Sequence, residues 1–85
     1  MIETIHEGSS LLPALAFSGL SVDEMWLDYW ALGGSRQVED LVTYMAGGSA
    51  WSAREHDLAA LALNEECHSL GFGYPAAYGK DITDH

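Results

Sequence analysis

Paired glycines and capping serines cut this chain into segments of a length and pattern that short helices satisfy. Gly33-Gly34, Gly47-Gly48 and Gly71 each follow a stretch with helical apolar spacing. Glycine enters the left-handed conformation that ends a helix without steric cost. Ser21-Val22-Asp23-Glu24 and Ser52-Ala53-Arg54-Glu55 both read as capping boxes. In that motif the serine oxygen accepts from the backbone three residues on, and the glutamate reaches back to the serine N–H.

Between these marks the apolar residues recur with a helical period. Val22, Met25, Trp26, Tyr29 and Trp30 form one stripe of a second helix, whose acidic start suits the positive helix N-terminus. Ser35 is expected to cap a third helix with Val38, Leu41, Val42 and Met45 buried. A fourth helix should run from Ser52 to about Leu70. Trp51 precedes its cap as a hydrophobic staple, and His56, Ala59, Ala60, Leu63, Cys67 and Leu70 make its main apolar stripe. Leu58 and Leu61 lie on another face, so this helix is expected to be central. Gly71-Phe72 reads as a Schellman stop, with Phe72 packing back on the last turn. A short first helix, Leu11–Phe17, is expected to start from Ser9 or Ser10, with Pro13 in its first turn, where a missing N–H costs little.

The expected fold is therefore all-α. Three main helices form a small bundle, joined by a short N-terminal helix and an extended aromatic C-terminal segment docked through Tyr74 and Tyr78. Residues 1–8 are read as an arm, 9–79 as one helical domain and 80–85 as a frayed C-terminus. Eighty-five residues make one domain, and an apolar share of 48% is ample for its core.

Charge limits the partners. Thirteen acidic residues face three basic ones, Arg36, Arg54 and Lys80, for a formal charge of −10. Such a surface repels phosphate backbones and anionic membranes, so neither direct nucleic-acid binding nor membrane binding is expected. It attracts and steers a basic partner, and the same charge also serves solubility. The apolar run at Leu11–Phe17 is too short to span a bilayer. Glu3 and Glu7 stand where a signal peptide would carry Lys or Arg. A lone Cys67 allows no disulfide within the chain, as in a reducing compartment, and a cytoplasmic location is the expectation.

Candidate chemistry is sparse. Glu65 and His68 form an E-x-x-H pair, as do Glu3 and His6. This i, i+3 spacing shares a helix face and occurs in di-iron bundles, but those sites need further inward carboxylates. Cys67 and His68 are adjacent, so on a helix they diverge by about 100° and do not make a thiolate–imidazole pair. Cys67 and His56 sit on the apolar stripe and read as core residues. No P-loop, Rossmann, G-x-S-x-G or zinc-finger spacing is present. No catalytic residue and no cofactor is expected.

The stretches from Trp26 to Gly34 and from Glu55 to Glu65, with Gly71 and Tyr78 beyond, resemble short uncharacterised helical proteins of actinobacteria, over about residues 21–78. That group carries no assigned activity, so the resemblance implies a regulatory or accessory role and no functional residue.

The leading expectation is a non-enzymatic, regulatory protein-interaction module that presents an acidic helical surface to a basic or mixed-charge protein. Asp23, Glu24, Asp28, Glu39 and Asp40 form the steering rim, with Leu27 as the apolar anchor. A nucleic-acid mimic is one form of this idea. A small metal-binding or redox-sensing domain using His56, Glu65, Cys67 or His68 is the alternative of a different class. A structural subunit of an oligomer is the third.

Overall fold

The structure, a computed structural model, describes residues 8–76. Among these residues the fold is all-α: a 3-10 turn at Gly8–Leu11, then α1 (Leu12–Ser18), α2 (Val22–Ala31), α3 (Val38–Met45) and α4 (Ala53–Ser69), with no strand. No helix among them is long and apolar enough to cross a membrane. The Glu3–His6 pair, most of the arm, Tyr78 and the expected frayed end lie outside the described residues.

The helix boundaries follow local chemistry. At the start of α2, the Glu24 N–H donates to the Ser21 hydroxyl at 3.1 Å, and the Ser21 N–H donates to Glu24 Oε1 at 2.8 Å, completing the capping box. At its end, the Gly34 N–H reaches the Tyr29 carbonyl and the Gly33 N–H the Trp30 carbonyl, both at 3.0 Å. This Schellman pair needs a left-handed residue, and Gly33 supplies it at φ 107°. The ends of α3 and α4 repeat the same pair of bonds, through Gly47-Gly48 and Gly71-Phe72.

The longest helix, α4, is central. Helices α1 and α2 both pack on it, and the 3-10 turn bridges α3 to α1 and α4. Leu11, Ala14, Met25, Tyr29, Leu41, Tyr44, Ala59, Ala60, Leu63 and Cys67 are wholly buried. The alanines of α4 let its neighbours approach closely. The Cys67 thiol donates to the Ala14 carbonyl on α1 at 3.4 Å. Burial pushes that thiol's pKa up, helped by the charge of Glu66. Trp51 is wedged between two tyrosines, stacked on Tyr44 at 4.4 Å and on Tyr29 at 5.4 Å between ring centroids. Such ring pairs add packing energy beyond their buried area.

Several expectations are corrected. Trp30 is 46% exposed and Val42 49% exposed. Each sits at the edge of its helix's apolar stripe, one residue and about 100° from the buried Tyr29 and Leu41. Leu70, half exposed, lies past the end of α4. Gln37, not Ser35, is the N-cap of α3, where its N–H donates to Asp40 Oδ2 at 3.1 Å. A 3-10 turn, not a serine cap, leads into α1. Gly8, assigned to the arm, is buried in that turn. Phe72 lies against Phe17 of α1, with ring centroids 5.3 Å apart. The C-terminal segment is anchored through the buried Ala76 rather than Tyr74, which is 62% exposed.

Candidate functional site

Helices α2 and α4 leave a groove between them of about 390 Å³. Its walls carry three carboxylates, Asp28 from α2 and Glu65 and Glu66 from α4, together with Ser69; Ala31, Leu32 and Ala62 supply apolar surface. The helical period accounts for this grouping. Asp28, Ala31 and Leu32 share one side of α2, and Ala62, Glu65, Glu66 and Ser69 one side of α4. Among the described residues, no hydrogen bond or ion pair holds any of the three carboxylate side chains. Among the described residues, no lysine or arginine lines the groove. Carboxylates gathered around an apolar surface focus negative potential there.

The rim expected from the sequence is only partly brought together. Asp28 lies in the groove. Glu24 is one helical turn before it on α2, but its carboxylate is tied to the Ser21 N–H. Asp40 is likewise occupied at the start of α3. Asp23 and Glu39 are exposed on separate helices and line no part of the groove. Leu27, 59% exposed, stands on the outward face of α2 beside Asp28. Glu66 joins the site as well; its only sequence signal is the adjacent acidic pair Glu65-Glu66 on α4, which does not say which helix packs beside it.

A second cluster of polar groups is closed. Glu55 reads in the sequence as the return half of a capping box. Ser52 does cap α4, accepting from the Glu55 N–H at 3.2 Å. The Glu55 side chain turns inward instead. Its Oε1 accepts from the Tyr29 hydroxyl at 2.5 Å and its Oε2 from the Ser35 hydroxyl at 2.7 Å. The Tyr29 hydroxyl oxygen in turn accepts from the backbone N–H groups of Ser35 and Arg36. Burial raises the carboxyl's pKa. The hydrogen bonds from Tyr29 and Ser35 and the charge of Arg54, 3.5 Å away, outweigh it and hold Glu55 below its ordinary value. Burial, with the bond to Glu55, pushes the Tyr29 phenol up to about 12. Gly34 is required at this corner, because a Cβ there would run into the Tyr29 ring. Alongside it, His56 is wholly buried with its Nδ1 2.6 Å from the Tyr44 hydroxyl.

The metal and redox candidates do not assemble into one site. Glu65 faces the groove, whereas the His68 ring stacks on Tyr74 at 4.9 Å. Among the described residues, no three His, Cys, Asp or Glu side chains converge to hold a metal ion. Cys67 faces α1.

No protein-family model, no curated protein and no solved structure matches this chain.

Proposed function

We propose that this chain is a non-enzymatic interaction module that takes a basic segment of a partner protein into the α2–α4 groove, in a regulatory role. One observation carries the reading: Asp28, Glu65 and Glu66 line one partly apolar groove, and among the described residues no lysine or arginine lines it with them. Unpaired carboxylates beside apolar side chains suit a lysine or arginine, whose aliphatic stem packs while its charged head pairs. The formal charge of −10 adds long-range steering toward such a partner. Leu27, on the outer face of α2, extends the contact as an apolar anchor.

The test uses arginine-rich peptides of mixed sequence, titrated into the full chain at rising ionic strength. Affinity should fall steeply with salt. It should drop at least about tenfold in the triple variant Asp28→Asn, Glu65→Gln, Glu66→Gln, since charge-assisted bonds of this kind contribute about 1.5–3 kcal/mol each. Neutralising Asp23 and Glu39 should matter less. A triple variant that binds as tightly as the parent would remove the groove from the reading.

A further inference from the structure

Asn64 lies in the C-terminal half of α4 and is wholly buried. Its side-chain amide is devoted to one residue of the chain that follows the helix. Nδ2 donates to the Ala76 carbonyl at 2.8 Å, and Oδ1 accepts from the Ala76 N–H at 2.8 Å. A carboxamide that pairs both backbone groups of one residue does what a neighbouring β-strand does in a ladder. It reads the backbone of that residue and takes no information from its side chain. Selectivity comes from space: Ala76 is 2% exposed, so only a small side chain fits at the clamped position.

The rest of the segment is held lightly. Phe72 touches Phe17 and Tyr74 stacks on His68, yet both remain more than half exposed. Through Tyr74 on His68 and Ala76 on Asn64 the segment runs back alongside α4, with a bend at Ala76. Gly71 and Gly73, at φ 90° and 76°, sit at the junction with the helix.

We propose that Asn64 heads a recognition slot for a short peptide, which residues 72–76 fill in cis and which a partner's segment with a small residue at the clamped position fills in trans. This stands independently of the groove, on a different residue set. If the strap lifts with nothing to replace it, a buried amide loses two hydrogen bonds, a penalty that favours an incoming backbone. The cis segment competes through its high effective concentration, so external peptides gain access when the strap is weakened.

The test keeps the full chain and weakens only its own strap. Ala76→Pro removes the clamped N–H, and Ala76→Glu places a charge where a buried methyl sits. The probe is the amidated peptide Gly-Phe-Gly-Tyr-Pro-Ala, and the readout is the Asn64 side-chain amide resonances. In both variants these resonances should move from their parent positions, and millimolar peptide should return them. The parent should respond at least about tenfold more weakly, because its own segment holds the slot. A peptide ending in Trp should have no effect. The proposal fails if folded variants do not respond to the peptide. It also fails if both substitutions abolish the helical circular dichroism, since the segment would then be part of the core rather than an exchangeable strap.

Discussion

Glu55 and Glu65 stand ten residues apart on α4, roughly 15 Å along the helix axis, and the chain uses them in opposite ways. Around Glu55 donors close in from three directions, with the Tyr29 and Ser35 hydroxyls on its oxygens and Arg54 alongside. Around Glu65 there are two further carboxylates, Asp28 and Glu66, and, among the described residues of the groove, no side chain of opposite charge. The first arrangement joins the α2–α3 connection to the start of α4. The second contributes nothing to cohesion that the geometry reveals, and like charges side by side mildly oppose folding. A carboxylate that folding does not need is the one the proposed partner would engage.

The strongest way to break this contrast is to truncate one acid at each place. Glu55→Ala should lower unfolding free energy by on the order of 2–3 kcal/mol, because it strands the Tyr29 and Ser35 donors in a part-buried corner. Glu65→Ala should stay within about 0.5 kcal/mol of the parent. Urea denaturation with matched m-values reads both. Equal losses would erase the distinction.

Acid and alkali sharpen it. The Glu55 carboxyl titrates below its ordinary value in the fold. Its contribution is present above the ordinary carboxylate range and is lost as pH falls through the lowered value. Tyr29 titrates near 12 in the fold, from an ordinary 10.0. Its contribution is complete below pH 10 and is lost as pH rises from there toward 12. Melting temperature should therefore decline on both flanks. Glu55→Gln should flatten the acid limb. An acid limb identical in Glu55→Gln and the parent would place the titrating group elsewhere.

The smallest effect has the opposite sign. Neutralising Asp28, Glu65 and Glu66 together should raise stability, by a few tenths to about 1 kcal/mol at low salt, and added salt should shrink the gain. A loss of stability would mean that these acids help to hold the fold after all.

The same contrast marks what the sequence could convey. Helix number and most helix ends were legible, because caps and Schellman stops act within five or six residues and their signals are local. Ser21–Glu24 behaves as its pattern says. Ser52–Glu55 does so only in half, since Tyr29 and Ser35, 26 and 20 residues away, offer Glu55 stronger partners than the Ser52 N–H. Nothing near Glu55 in the chain carries that information. Trp30 and Val42 were misplaced because an apolar stripe gives a direction but not the width that neighbouring helices cover. Asp28 could be singled out as an exposed acid on α2. Its meeting with Glu65 and Glu66 depends on α2 lying against α4, a choice made by tertiary packing.

The position of Cys67 gives the molecule a built-in clock. The thiol is sealed between α1 and α4, and its raised pKa keeps the reactive anion scarce. A maleimide or disulfide reagent in solution reaches it only while α1 stands away from its seat. The rate of labelling at this single sulfur therefore reports the fraction of time the seat is open, with no engineered probe.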